Sequence, residues 1–201
     1  KTASVTGTGN SDVTIGAFSA TSIVEVTTTG NRYTTNTHST SSTLATGKYY
    51  SVTITPKAAY RLVLDKISVK FQRSNTGPAA VAIRTSEDSY ASNLVLATVG
   101  TGATSSGNAL IFNADNSANT ISGNEFTLNI TKTTTTPVTI RIYPYNSGNG
   151  STGTFSIDDV VITGSSTYDE TLAVGDATKA KANLVKNTIV SNELIFGAAA
   201  K

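Results

Sequence analysis

Cysteine, methionine and tryptophan are absent from this chain, histidine occurs once, and proline occurs only four times in 201 residues. Without cysteine there is no disulfide and no thiolate metal site. Without tryptophan the commonest aromatic platform for a sugar is missing. No apolar run approaches the roughly 20 residues that cross a bilayer as a helix, so no transmembrane segment is expected. Charge of either sign is sparse: 15 basic against 13 acidic residues leave a net charge of +2. The basic residues are scattered, and phosphate contacts need a basic stripe, so nucleic acid is not an expected partner. No glycine-rich phosphate cradle, zinc-ligand spacing or nucleophile elbow occurs. No signal-peptide pattern opens the sequence, and the expectation is a processed chain or an excised piece.

What fills the chain instead is threonine, serine, asparagine and glycine, beside 38% apolar residues. Disordered chains pair low hydrophobicity with high net charge, and this one has only the first in mild degree. Threonine suits a pleated surface; serine, asparagine and glycine suit turns. Short strands and many loops follow.

Alternation confirms that reading. Tyr50, Val52 and Ile54 alternate with polar residues up to Pro56, the period-two pattern of a half-buried strand. Leu62 and Leu64 are out of phase with Ile67, Val69 and Phe71, which predicts a bulge near Asp65 and Lys66. A turn signal at residues 74–78 precedes Val81 and Ile83. Leu94, Leu96 and Val99 begin another run, residues 100–108 read as a loop, and Leu110 and Phe112 follow. Phe126, Leu128 and Ile130 alternate, as do Val138, Ile140 and Ile142. Residues 146–153 read as a flexible turn before a last strand from Phe155 to Gly164. Strands recurring every 8–12 residues or so are the pattern of a sandwich or barrel. The expected fold is all-β: a jelly-roll-like two-sheet β-sandwich over residues 1–165, a linker over 166–180 and a short β tail over 181–201. Two strands alone cannot form a domain, so the tail must dock on the sandwich, pair with another chain or be incomplete.

The tail contains Leu172-Ala173-Val174, then Lys181 through Leu184, Val185, Lys186 and Asn187, then Asn192-Glu193-Leu194-Ile195-Phe196-Gly197. It resembles the start of the C-terminal sorting domain of type IX secretion cargo, as found in flavobacteria. The resemblance implies that Leu184, Val185, Asn187, Glu193, Leu194, Ile195, Phe196 and Gly197 are signal residues. It also implies that outer-membrane secretion machinery is a partner and that the chain is extracellular or at the cell surface. A second resemblance covers most of residues 45–164. It rests on the run from Tyr49 to Pro56, the turn from Arg73 to Pro78, the run from Arg84 to Tyr90 and the run from Gly153 to Val160. Together these look like a β-sandwich module common in extracellular proteins of Bacteroidetes. It accompanies enzymes, adhesins and surface proteins alike, and so implies location more than chemistry.

Candidate chemistry is thin. His38 sits in a threonine- and serine-rich loop with no acid beside it, and is expected to be solvated rather than a ligand or base. Asp158 and Asp159 are the most suggestive carboxylates. Neighbours on a strand point to opposite faces, so they cannot act as paired acid and base unless a bulge turns one; structural calcium is a candidate role. Arg73, Arg84, Glu87 and Asp88 are expected to form a network that fixes the loop at 87–93. Tyr143, Tyr145 and Asn146 form a candidate group for binding sugars, surface glycans among them, or peptides, and the tail strands could complete a sheet in a neighbouring subunit. The sequons at Asn129 and Asn149 carry no weight in a bacterial chain. The expectation is a non-enzymatic secreted or cell-surface module for adhesion or surface structure. The alternatives are a carbohydrate-binding module from a larger secreted enzyme, and cargo bound to the secretion machinery.

Overall fold

Among the described residues, thirteen strands follow one another along the sandwich, and a fourteenth comes from the tail. The computed structural model describes residues 12–26, 32–113, 121–133 and 135–173, and the backbone of 192–196. The first strands are short: β1 (Val13–Ile15), β2 (Ser19–Thr21), β3 (Val24–Glu25) and β4 (Tyr33–Asn36). Next come β5 (Tyr49–Pro56), β6 (Tyr60–Arg73), β7 (Pro78–Thr85), β8 (Leu96–Thr98), β9 (Ala103–Ser106) and β10 (Ala109–Phe112). The last are β11 (Ile121–Lys132), β12 (Val138–Ser147), β13 (Phe155–Tyr168) and β14 (Asn192–Phe196).

Two antiparallel sheets stack face to face. The first runs β1-β5-β12-β7-β10-β9, with β2 also on β5; the second runs β3-β4-β13-β6-β11-β8, with β14 also on β13. Count β4, β5, β6, β7, β10, β11, β12 and β13 as first to eighth. The first sheet then reads second, seventh, fourth, fifth, and the other reads first, eighth, third, sixth. Each strand of that order winds across to the other sheet or turns back beside its neighbour, which is the connectivity of a jelly roll.

The alternating residues meet between the sheets. Tyr50, Val52 and Ile54 of β5 and Val138, Ile140 and Ile142 of β12 face Leu64, Ile67 and Phe71 of β6 and Phe155, Ile157 and Ile162 of β13, all buried. The bulge near Asp65 is present: Thr163 and Gly164 are adjacent on β13, yet pair with Lys66 and Leu64. Asp65 is the extra residue, and it lets both halves of β6 turn their apolar side chains inward. Gly164 lies at this shift. A β-carbon built on it would overlap the Val63 carbonyl, so the backbones approach as closely as only glycine permits. Gly164→Ala is expected to cost about 1–3 kcal/mol of stability, measured as a fall in the urea midpoint; an unchanged midpoint would show that the strands can part.

Three expectations about elements change. Residues 103–106, expected within a loop, form β9 and pair with β10; only Ala103 packs against the core, and the three exposed polar residues after it hide the strand. The turn at 146–153, expected to be flexible, carries several hydrogen bonds. The Asn149 amide donates to Thr76 O at 2.9 Å, and the Asn149 side chain accepts from Ser151 N at 3.0 Å and Thr152 N at 3.2 Å. β13 runs on to Tyr168, past the expected boundary at 165. The tail docks on the sandwich: β14 pairs with β13 from Asn192↔Gly164 to Phe196↔Val160. Glu193, Leu194, Ile195 and Phe196 therefore belong to a strand, whereas Leu184, Val185, Asn187 and Gly197 lie outside the described residues.

Candidate functional site

With Tyr50 and Val52 turned inward, β5 turns Tyr49 and Ser51 outward. By the same alternation β12 turns out Arg141, Tyr143 and Tyr145. Register sets Arg141 between Ser51 on β5 and Arg84 on β7. The Arg141 guanidinium lies 4.1 Å from the centroid of the Tyr49 ring and 3.7 Å from that of Tyr90. Each such contact contributes about 0.5–2 kcal/mol, more as water is excluded.

Tyr90 reaches this position from the loop after β7. A 3₁₀ turn at Ser86–Asp88 leads into Ser89 and Tyr90, whose φ angles are 59° and 63°. Two successive left-handed residues without glycine cost of order 1 kcal/mol or more. The loop is clamped in that shape. Arg84 donates through Nη1 to Tyr90 O at 2.9 Å and through Nε to Asn93 Oδ1 at 2.8 Å. The Asp88 carboxylate accepts from Ser92 N at 2.8 Å and Ala91 N at 3.2 Å. Desolvation pushes the Asp88 carboxyl up, but these amide donors outweigh it and hold the group below its usual range. Glu87 pairs with Lys132 at 2.7 Å. The expected network around the 87–93 loop is thus real for Arg84, Glu87 and Asp88. Arg73 is not part of it: on β6 in the other sheet, its Nη2 donates to Asn75 O at 2.7 Å and Gly77 O at 2.9 Å.

The expected ligand-binding group is divided. Tyr143 is only 1% exposed, with its ring tilted against Tyr49 at 5.5 Å between centroids. Burial raises the pKa of its hydroxyl. It supports the site from beneath and offers no face to a sugar. Tyr145 is half-buried and Asn146 is exposed. The β5–β12 ladder stops at Ile142, so Pro144 forfeits no bond on that side. Beyond it, Asn146 N donates to Ser41 O at 3.0 Å and Ser147 N to Ser39 O at 2.8 Å.

His38 corrects the expectation of a solvated loop residue: it is 3% exposed and packs edge-on against Phe155 at 6.0 Å. Its Nε2 lies 3.2 Å from Thr35 O. A carbonyl can only accept, so Nε2 carries the proton and Nδ1 is a bare lone pair that no donor meets among the described residues. Burial lowers the pKa to about 4. Thr35 Oγ1 also bonds the Tyr50 hydroxyl. This buried chain is structural, and neutral imidazole is its resting form.

Asp158 and Asp159 meet the one condition under which adjacent carboxylates share a face. Asp158 pairs with Lys70 and Val161 with Ser68, so β13 carries an extra residue here, and Asp159 has a φ of 42°. The Asp159 carboxylate bonds the Lys70 ammonium. Burial, then the charge of Asp159, raises the Asp158 carboxyl pKa. A calcium ion here would have to displace Lys70. Among the described residues no three His, Cys, Asp or Glu side chains converge on one point.

In comparisons with known proteins, no family model, no curated protein and no solved structure matches the chain. The arrangement is therefore read on its own terms. Sequence reasoning found Tyr145 and Arg84 but missed Tyr49, Tyr90 and Arg141 as a group. The available signal was phase: Tyr49, Arg141 and Tyr143 all sit at outward positions of strands whose inward positions are plain.

Proposed function

We propose that this is a non-enzymatic module of type IX secretion cargo, exported across the outer membrane and held at the cell surface or released. It attaches to its target through the outer face of the first sheet. The observation that carries this reading is the left-handed pair Ser89-Tyr90, which spends backbone strain to set a tyrosine over Arg141 opposite Tyr49. Strain of that kind collects at binding and switch sites. The resemblance of the tail supports the export route, with secretion machinery as its partner. The burial of His38 supports a non-catalytic role, because the side chain best suited to proton transfer near neutral pH faces the core.

Tyr90→Gly separates binding from folding. Glycine accepts the φ of 63° without strain, so stability is expected to hold within about 1 kcal/mol, whereas attachment to the target surface falls at least about tenfold, as an interface tyrosine implies. Glycan arrays and whole-cell adhesion, run for both proteins, read the effect. Turnover of a glycan, peptide or ester that one substitution abolishes would refute the proposal.

A carbohydrate-binding module is the second reading, favoured by the partly exposed rings of Tyr49, Tyr90 and Tyr145 beside two arginines. Selective glycan binding lost in Tyr145→Ala would promote it over protein or surface adhesion.

A further inference from the structure

A recess opens on the opposite outside of the molecule, on the outer face of the second sheet. It is built by alternation across three neighbouring strands. Thr34 of β4 pairs with Ser156 of β13, which pairs with Gln72 of β6. Arg32 stands two residues before Thr34, and Ser74 two residues after Gln72, so both project to the same side. Thr154 completes that face, and Arg73 closes the end. The recess holds about 140 Å³.

Its chemistry is one-sided. Among the described residues every one that lines it is polar, two are arginines and none is an acid. In the row beyond, Asp158 stands opposite Lys70, and the charge of Arg32 also acts on its carboxyl. Thr34, Gln72 and Ser156 are all buried although they lie on the face of the sheet turned away from the core. The two hydroxyls bond each other at 2.8 Å. Arg73 is held in place by the Asn75 and Gly77 carbonyls, and Thr154 N is fixed on Ser74 Oγ at 2.9 Å. The walls at Thr34, Ser156, Arg73 and Thr154 are therefore set before any ligand arrives, which reduces the ordering cost of binding.

Size and polarity narrow the occupant. Pockets for drug-sized molecules span roughly 300–1,000 Å³ and are mostly apolar; this one is smaller and lined by polar residues. A single hydroxylated ring bearing one anionic group suits it. Arg32 would take a carboxylate through charge-assisted, forked bonds, and the threonine, serine and glutamine groups would exchange hydrogen bonds with ring hydroxyls.

We propose that the recess between Arg32, Gln72 and Ser156 binds a uronic acid unit of an acidic polysaccharide. This site is separate from the tyrosine–arginine face and does not rest on it. The test is calorimetric titration of the full chain with D-galacturonate, D-glucuronate, D-galactose and sodium sulfate. One uronate is expected to bind saturably, and galactose at least about tenfold more weakly, because the charge-assisted bonds are lost. Arg32→Gln is expected to weaken uronate binding by a similar factor with an unchanged melting temperature, and Arg32→Lys to fall between the two. Tyr90→Gly is expected to bind uronate as the parent does, so failure here and failure of the adhesive face are told apart. The proposal is overturned if neither uronate binds, if galactose binds as well, or if folded Arg32→Gln binds undiminished. Sulfate binding as tightly as the uronate would overturn it too, since the site would then hold any anion.

Discussion

Phe155→Ala is expected to remove about 3–5 kcal/mol of unfolding free energy, a large share of the margin by which a domain of this size is stable. Phe155 has no exposed surface. Its ring lies 5.4 Å from Phe71 on the second sheet, and 5.9 Å from Phe112 and 6.4 Å from Tyr50 on the first. It also backs the His38 ring at 6.0 Å. One side chain thus joins both sheets at the end where the 36–43 segment crosses. Truncation would leave a cavity whose rigid aromatic walls cannot collapse to fill it. Urea unfolding should show a lower midpoint with an unchanged slope. A loss below about 1 kcal/mol, which only a site free to collapse would give, would mean that the rings repack and that the core at this end is loose.

The parts of this structure visible in the sequence are those set by apolar alternation. Tyr50, Val52 and Ile54 name their strand and its inward face, and the phase break after Leu64 names the Asp65 bulge, because a buried face has to be kept on both sides of an extra residue. The same break stands between Ile157 and Val160. Strict alternation nevertheless sets Asp158 and Asp159 on opposite faces, whereas the bulge brings both beside Lys70. The outward faces were less legible. Strand polarity shows that Arg141 is outward but not what covers it, and the left-handed Ser89 and Tyr90 contain no glycine to announce them. The arginine-walled recess was invisible because serine, threonine and glutamine at outward positions look like ordinary solvated surface. His38 was hidden by the company it keeps. Its loop is all hydroxyls, yet Gly150, from a turn remote in sequence, approaches so closely that a β-carbon there would crowd His38 O. Burial of this kind comes from long-range packing, which local composition does not record.

That burial gives the chain a defined sensitivity to acid. The pKa of His38 is lowered from 6.5 to about 4, mainly by desolvation, with the charge of Lys48 adding to it and the Thr35 backbone bond opposing it. Between these two values the unfolded chain binds a proton that the folded chain refuses. Stability therefore rises with pH across this window, and falls as pH drops from about 6.5 to about 4. The full difference is about 3 kcal/mol at 1.36 kcal/mol per unit, and below about 4 both states are protonated and this loss levels off. The reason is local: a second proton would have to sit on Nδ1, which no acceptor meets among the described residues. Glu125, Asp88 and Asp169, whose carboxyl pKa values are lowered, contribute their own loss as pH falls from the ordinary carboxylate values downward. The check is urea unfolding at pH 7.5, 6, 5 and 4.5 for the parent and for His38→Gln, which keeps a donor for Thr35 but cannot titrate. The parent is expected to lose stability through this window while the variant, less stable at pH 7.5, stays nearly level above pH 5, so that their difference narrows as the solution is acidified. Parallel curves would show that His38 charges freely in the folded state, and would place it back in solvent.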